Sequence, residues 1–361
     1  MKILFAGGGT AGHVEPALAV ARAWQLAHPE DEILFIGTKA GLENSLVPAA
    51  GFTLHHIPKV AIARKISPSL LKVPFQLAAA ISATRKSLKG VDCAIGFGGY
   101  VSAPLYLAAA MAKVSFVIHE QNARPGWANR LGARFTNYLA LSYPVRNREF
   151  TDAELTGLPL RSDVLVTLTK ASGDWSAARL QAKEIIASRY GLAPDKPLIF
   201  IFGGSQGSQA INAVIESARD SIAQSGATVL HGVGKNNAVP ERSDSYCAVS
   251  YIDEMAQCYL AADLLIGRSG AVTCAEAQAL ARYSLFIPLP IGNGEQALNA
   301  AALVASGRAE ILSQRDFTPQ WLATNLSALL YKSSTRSPQG DTSGAHAVDK
   351  IVKMIERAAG K

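Results

Sequence analysis

The sequence predicts an α/β protein built as two doubly wound parallel-sheet domains, and three features predict it. A short apolar run at 2–6 leads through Gly7-Gly8-Gly9-Thr10-Ala11-Gly12-His13 into a helix-like stretch at 14–27. The same strand–glycine turn–helix pattern returns in Ile199-Phe200-Ile201-Phe202-Gly203-Gly204-Ser205-Gln206-Gly207. Short apolar strands alternate with helices along both halves, the pattern of parallel sheets with helices on both faces. Two such units make two Rossmann-like, nucleotide-type domains facing each other across a cleft. A glycine turn at a helix start lets backbone approach a ligand closely, and it aims N–H groups and a partial positive charge at an anion. The spacing Gly7-x-Gly9-x-x-Gly12 also fits the dinucleotide fingerprint. The residue after it, His13, is an imidazole able to take a proton near neutral pH.

Length and composition fit that plan. The chain has 361 residues, 49% hydrophobic and 17% charged, enough for two packed domains of ordinary size. Cys93, Cys247, Cys258 and Cys274 are scattered and form no Cys-x-x-Cys pair, so they read as buried reduced thiols of a cytosolic protein. Met1-Lys2 run straight into the first strand, so no signal peptide is expected ahead of the fold. The longest apolar region, 103–118, holds Lys113 and reads as helix, turn and strand rather than a membrane span. A net charge of +7 suits an acidic substrate, an anionic membrane face or nucleic acid. No basic run of the nucleic-acid kind occurs and aromatics are only 7%, so phosphorylated ligands or lipid headgroups are expected and nucleic acid is not.

In the first half, 32–36 reads as the second strand. It ends in Gly37-Thr38-Lys39, where a dinucleotide fold would place an acid for the adenosine ribose; the missing acid counts against NAD. A helix at 41–49 and a strand at 53–57 follow. On that strand His55 and His56 face opposite ways and read as structural. From 62 to 89, Ile62, Ile66, Leu70, Leu71, Val73, Phe75, Leu77 and Ile81 interleave with Arg64, Lys65, Lys72, Arg85, Lys86 and Lys89, and no acid interrupts them. Such a segment suits an interfacial helix on an anionic leaflet. A core-facing helix with a solvated basic edge fits the same residues. A fourth strand at 92–97 ends in Gly98-Gly99-Tyr100, a third glycine turn before a helix. The fifth, 114–118, runs into His119-Glu120-Gln121-Asn122, beyond the carboxyl end of the strand, where open α/β sheets bind ligands. The His-Glu pair has no second ligand pair at metal spacing, so no metal is expected. Residues 137–141 are expected to close this sheet.

Residues 156–161 look like the crossover into the second half. A helix is expected near 177–190, then strands at 198–202, 228–232, 247–250, 263–267, 284–288 and 309–312. The polar stretch 332–344 reads as a mobile loop. The tail 345–358 places Val348, Ile351, Val352 and Ile355 on one helix face, expected to dock back on the first domain. The expected domains are therefore 1–161 completed by 345–361, and 162–344.

Two blocks of the second half bear chemistry. In Arg268-Ser269-Gly270-Ala271-Val272-Thr273-Cys274-Ala275-Glu276 a strand passes through Ser-Gly into a helix. Its first turn offers free N–H groups and the Thr273 hydroxyl, which can hold a diphosphate without a metal. Glu276, one turn in, is placed to accept both hydroxyls of a ribose. The same residues fit a helix that Thr273 merely caps, with Glu276 as a favourable first-turn acid. Gln296 and Asn299, at i and i+3 after Gly294-Glu295, share a helix face and can bond a sugar's hydroxyls.

Taken in order, GGGTAGH (7–13), FGGYVSAP (97–104), HEQNARPGWANR (119–130), GGSQGSQAIN (203–212), YIDEM (251–255), RSGAVTCAE (268–276) and EQALNA (295–300) resemble the segments of the MurG family of N-acetylglucosaminyltransferases. The resemblance implies the two-domain GT-B fold, with the first domain on the acceptor and membrane side and the second binding the donor. It implies UDP-GlcNAc as donor and undecaprenyl-diphosphate-linked MurNAc-pentapeptide, lipid I, as acceptor. The products would be lipid II and UDP, in peptidoglycan synthesis on the cytoplasmic face of the cell membrane. By motif position it assigns Thr10, Ala11, Gly12, Asn122, Arg161 and Ser205 to the donor side of the cleft. Ile252 falls to the uracil, Ala271, Val272, Thr273, Cys274 and Ala275 to the diphosphate, Glu276 to the ribose and Gln296 to GlcNAc. His13 is the family's candidate base. The chain departs from the family pattern at Ala11, where glycine is usual, at Leu158, where Asn is expected, and at 290–293. No Asp-x-Asp motif is present to hold a divalent cation, so neither metal nor cofactor is expected and the helix terminus must steady the leaving diphosphate. A membrane-lipid acceptor favours the membrane-facing reading of 62–89. Attack of a sugar hydroxyl opposite UDP would invert the anomeric centre. The rival readings are a GT-B enzyme with another acceptor such as diacylglycerol, an NAD(P)-dependent oxidoreductase, and a sugar-nucleotide binder without activity.

Overall fold

A computed structural model describes residues 1–60, 72–145, 148–290 and 294–360. The chain divides into two compact units, 1–161 with 344–361, and 162–343. The first runs β1 (Lys2–Ala6), α1 (Ala11–Ala27), β2 (Glu32–Gly37), α2 (Glu43–Ala49), β3 (Thr53–His56), α3 (Val73–Ser87), β4 (Cys93–Gly96), α4 (Ser102–Ala112), β5 (Ser115–Glu120), α5 (Trp127–Gly132), β6 (Leu139–Leu141) and β7 (Glu154–Leu155). The second opens with α6 (Ser162–Ala171), α7 (Trp175–Tyr190), β8 (Leu198–Phe202), α8 (Gln209–Ser217), α9 (Arg219–Gln224), β9 (Thr228–Gly232) and β10 (Tyr246–Val249). It continues through α10 (Met255–Ala261), β11 (Leu264–Gly267), α11 (Ala271–Ala279), β12 (Tyr283–Phe286), α12 (Glu295–Asn299), α13 (Ala301–Ala305), β13 (Ala309–Ile311) and α14 (Pro319–Ser334). A final helix, α15 (Ala347–Ala359), belongs to the first unit.

Among the described residues both sheets are wholly parallel, ordered β3-β2-β1-β4-β5-β6-β7 and β10-β9-β8-β11-β12-β13. Strand order reverses between β1 and β4 in the first sheet and between β8 and β11 in the second. The carboxyl ends at such a reversal leave a crevice for ligands. Each of those four strands runs into one of the glycine-bearing turns.

Both faces of the middle of the first sheet are covered, so β1, β2, β4 and β6 read as nearly unbroken apolar runs instead of alternating ones. Ile3 and Phe5 face the core shared with α1 and α15, while Leu4 and Ala6 face the core under α3 and α4. In the second unit Ile199, Ile201, Leu264 and Ile266 pack with Ile211 and Ile215 of α8 and with Leu322, Leu326 and Leu329 of α14. On the opposite face Phe200 and Phe202 meet the Tyr259 ring edge-on, with centroids 5.7 and 5.8 Å away.

The tail helix completes the first core. Val348, Ile351, Val352 and Ile355 are buried against α1 and the sheet, and His28 Nε2 lies 2.9 Å from Glu356 Oε1. Burial of Ile351 is complete. Ile351→Ala should therefore cost about 2–5 kcal/mol, read as an earlier denaturant midpoint for the first unit.

Several expectations need correction. Residues 137–141 do not close the first sheet, because β7 pairs beyond β6. The stretch 332–344 is not a free loop: α14 runs to Ser334, and Arg308 donates to the Ser337 and Gln339 carbonyls at 3.3 and 3.1 Å. Gln278 Nε2 then holds Asp341 Oδ2 at 2.6 Å. Of the basic, apolar segment, 62–71 lie outside the described residues. The remainder forms α3, with Val73, Leu77, Ala80 and Ile81 toward the core and Lys72, Arg85 and Lys86 exposed. Phe75 breaks that pattern at 79% exposure. All four cysteines are free and buried. His55 and His56 bond Ser87 and Asn44 at 3.1 and 2.7 Å. Among the described residues no helix is long and apolar enough to cross a membrane.

Candidate active site

In the first unit the turns after β1 and β4 lie against each other. Gly9, Gly98 and Gly99 have φ of +93°, +88° and +80°, which favours glycine. A Cβ on Gly99 would overlap the Gly8 carbonyl, and one on Gly9 would fall 2.8 Å from the Tyr100 ring. Thr10 is the extended residue that starts α1; its carbonyl accepts from the N–H groups of His13 and Val14 at 3.1 and 3.2 Å. Its exposed hydroxyl caps nothing, and Ala11 and Gly12 beside it are half-buried.

His13 Nδ1 lies 3.0 Å from the Phe97 carbonyl. A carbonyl only accepts, so Nδ1 carries the hydrogen and Nε2 the lone pair. The Gln121 side-chain amide also touches Nδ1. With a hydrogen there, the amide oxygen is the atom suited to that contact; turned the other way, Gln121 Oε1 is buried without a partner among the described residues. Burial holds the imidazole below its ordinary 6.5, opposed by the Phe97 carbonyl and the Glu43 carboxylate. A half-buried imidazole with a fixed tautomer and no described residue bonded to Nε2 can accept a proton from a hydroxyl placed there.

One residue of this site went unseen in the sequence. Glu43 is completely buried. Its carboxylate accepts from Gly9 N and Thr38 N at 2.9 Å each, from Thr38 Oγ1 at 3.2 Å and from Tyr100 OH at 3.0 Å. The flanking Gly37 and Gly41 were its only visible signal.

The motif His119-Glu120-Gln121-Asn122 does not present four side chains to a ligand. β5 runs two residues further than expected, so His119 and Glu120 belong to the strand and are buried. His119 Nε2 lies 3.2 Å from both the Gly157 carbonyl and Ser142 Oγ, and burial lowers its pKa to about 4. Glu120 accepts from the N–H groups of Asn122 and Gly126 at 2.9 and 3.0 Å and from Asn129 Nδ2 at 2.9 Å. Burial pushes its carboxyl up against those donors. Glu120 thus shapes the loop that carries Gln121 and the half-buried Asn122. Arg161, also half-buried, is the last residue of the first unit before α6.

In the second unit the turns after β8 and β9 meet backbone to backbone. Gly207 (φ +74°) and Gly234 (φ +95°) leave no room for a Cβ, which would overlap the Val233 carbonyl oxygen and the Gly207 nitrogen respectively. Asn237 Nδ2 bonds the Gln206 and Val233 carbonyls at 3.1 and 2.9 Å. Ser205 stands half-buried in this turn. Ile252 is buried, its Cδ1 3.0 Å from where a Cβ on Gly232 would stand.

After β11, Gly270 is the residue ahead of α11 and has no side chain to cap it, and Thr273 makes no capping bond among the described residues, which removes the reading of Thr273 as a cap. Val272, Thr273 and Ala275 are half-buried on this helix, while Ala271, Cys274 and Glu276 are buried. Immediately before it, Arg268 donates to Ser208 Oγ and Gln314 Oε1 at 2.8 and 2.7 Å and to the Ile287 and Pro288 carbonyls at 2.9 and 3.2 Å. Burial lowers the guanidinium's pKa. All these partners are neutral, so its charge adds to the positive end of α8, which Ser208 caps. A positive helix end of this kind is suited to an anion. Gln296 Oε1 accepts from Leu289 N at 2.9 Å. Asn299 does not join it on a ligand face: it is buried, with Nδ2 3.4 Å from the Ser269 carbonyl. Among the described residues no cluster of His, Cys, Asp and Glu is gathered as a metal site.

Family models and curated relatives agree on one family. Residues 3–141 match the glycosyltransferase family 28 N-terminal domain, and 198–355 its C-terminal domain. A UDP-N-acetylglucosamine–N-acetylmuramyl-(pentapeptide) pyrophosphoryl-undecaprenol N-acetylglucosamine transferase from Thermobifida fusca is 44% identical, over 99% of this chain and 89% of the relative. One of the same description from Corynebacterium diphtheriae is 44% identical over 98% of this chain and 96% of the relative. The crystal structure of Acinetobacter baumannii MurG is similar with a TM-score of 0.68 at 26% identity, covering 98% of this chain and 99% of that one.

Proposed function

The chain belongs to the family of UDP-N-acetylglucosamine–N-acetylmuramyl-(pentapeptide) pyrophosphoryl-undecaprenol N-acetylglucosamine transferases, and on that premise we propose the following reaction. The protein moves GlcNAc from UDP-GlcNAc to the C4 hydroxyl of lipid I, with inversion, giving lipid II and UDP. The observation that carries this reading is His13, held neutral with its hydrogen on Nδ1 and its lone pair on Nε2.

In the proposed step the acceptor hydroxyl gives its proton to His13 Nε2 as its oxygen bonds the anomeric carbon and the bond to UDP breaks. The imidazolium that forms keeps its Nδ1 hydrogen on the Phe97 carbonyl, and the Glu43 charge favours it. A positioned base of this kind contributes typically 10²–10⁴-fold. Charge grows on the leaving diphosphate, where the positive end of α11 and the Arg268 cation favour the transition state over the ground state. Motif position gives Ile252 to the uracil, Ala271, Val272, Thr273, Cys274 and Ala275 to the diphosphate, Glu276 to the ribose and Gln296 to GlcNAc. Thr10, Ala11, Gly12, Asn122, Arg161 and Ser205 complete the donor contacts. The first unit, 1–161 with the tail, takes the acceptor and contributes those first-unit donor contacts, and the second binds the nucleotide. The test mixes the protein with UDP-GlcNAc and a lipid I analogue. A disaccharide-linked lipid supports the reading; binding of UDP-GlcNAc without product, or transfer only to diacylglycerol, overturns it.

A lipid acceptor also places the protein peripherally on the cytoplasmic face of the cell membrane. The exposed Phe75, three residues after the exposed Lys72 at the start of α3, supports this. Each basic residue near an anionic leaflet adds about 1 kcal/mol. Replacing Arg64, Lys65 and Lys72 with Glu should therefore weaken binding to phosphatidylglycerol liposomes at least tenfold and spare activity on a soluble acceptor analogue. Unchanged liposome binding would remove this segment from the membrane contact.

A further inference from the structure

We propose that Glu43 is a positioning residue of the transfer step: its buried carboxylate clamps the glycine turn that carries His13 to the Tyr100 turn, and so fixes the imidazole against the acceptor hydroxyl. The inference rests on the transfer reading above. Three segments converge on this one side chain. Gly9 gives its N–H from the first glycine turn, Thr38 gives N–H and hydroxyl from the end of β2, and Tyr100 gives its hydroxyl from the turn after β4. The Lys59 ammonium lies 5.6 Å from the centre of the Tyr100 ring, so that ring is held through its face as well as its hydroxyl.

The socket is cut to the carboxyl group. A Cβ on Gly37 or Gly41 would overlap Glu43 itself, and one on Gly8 would fall 3.1 Å from its Oε1. All its hydrogen-bond donors are neutral, and no cation pairs with it among the described residues. A buried charge satisfied only by neutral donors is a costly way to join three loops. What the charge adds is its field at His13, where it favours the protonated imidazole that the reaction forms. The Gly9 N–H, moreover, is spent on Glu43 and is not offered to a phosphate. This glycine turn therefore suits a neutral hydroxyl nucleophile, while the diphosphate is left to the second unit.

The groups that act electrostatically on His13 are Glu43 from α2 and His119 from β5, the latter kept neutral by burial; the Phe97 carbonyl and Gln121 amide are uncharged. Two variants separate charge from position. Glu43→Gln keeps the shape and removes the charge and one acceptor; Gly41→Ala keeps the charge and displaces the carboxyl group. Both should lower kcat at least tenfold, and by more than they weaken UDP-GlcNAc binding through Thr10, Ala11 and Gly12 next to the clamped Gly9. Glu43→Gln should also move the acid limb of kcat/KM, and the His13 imidazole titration followed by NMR, to lower pH. Parental kcat in both variants, or an unmoved His13 titration in Glu43→Gln, would overturn the proposal. Should Glu43→Gln fail to fold, the kcat of Gly41→Ala decides alone. If the parent protein itself transfers nothing, the transfer reading falls, and the NMR titration still tests the link between Glu43 and His13.

Discussion

His13→Ala is expected to bind UDP-GlcNAc as tightly as the parent and to turn over at least tenfold, and as much as 10⁴-fold, more slowly. The separation follows from where the residue sits. His13 belongs to the first unit, and its ring is fixed by the Phe97 carbonyl and the Gln121 amide. The nucleotide contacts proposed for the α11 start and Ile252 lie in the second unit, and the donor contacts proposed in the first are Thr10, Ala11, Gly12, Asn122 and Arg161, so none of them uses the His13 ring. Affinity measured by calorimetry and turnover measured with saturating acceptor check the two halves separately. Near-parental turnover would remove His13 from the base role. The pH dependence has a definite sign. Burial lowers the imidazole below 6.5, so the neutral form persists to lower pH than for a free histidine. Activity should be lost as pH falls, with the midpoint of the acid limb of kcat/KM below 6.5; a midpoint above that value would contradict a buried, neutral base.

Gly207→Ala is expected to weaken UDP-GlcNAc binding at least tenfold. Two effects combine there. The positive φ costs an L-residue roughly 1–2 kcal/mol, and a Cβ would overlap the Val233 carbonyl oxygen, forcing apart the turns after β8 and β9. Gly226→Ala separates these effects. That residue has φ +75° but a Cβ there meets nothing within 4 Å. It should show the conformational cost alone, as a small loss of stability with donor affinity unchanged. Equal donor affinity in both variants would mean that the close approach of the two turns does not shape the donor site.

What the sequence made legible is what burial on both faces and glycine geometry write into it. The runs Lys2–Ala6 and Leu198–Phe202 carry enough apolar residues in a row to be strands with no ambiguity of face. Gly98, Gly99 and Gly204 mark turns because left-handed backbone demands it, Gly203 because a Cβ there would overlap Ser208, and α15 shows because its apolar stripe is narrow and regular. The misses have physical causes too. Charged residues are seldom fully buried, so beyond the glycines flanking Glu43 nothing in the sequence separates Glu43 or Arg268 from a solvated acid or base until the partners around them are known. His119 and Glu120 looked like loop residues because polar side chains after an apolar run mimic a strand end; pairing with β6 carries the strand on. Residues 162–171 hide a helix because Val164, Val166, Thr167 and Thr169 are β-branched; packing against α7 and α10 overrides that preference.

The most direct test of the mechanism is the configuration of the bond it makes. The new anomeric centre of the disaccharide-lipid product, read from its proton coupling by NMR, should be β, the inverted form of the α-linked donor. A base that deprotonates the acceptor hydroxyl for a single displacement gives that result. An α-linked product would require a second displacement through the enzyme or attack from the leaving-group face, and would contradict the role given to His13.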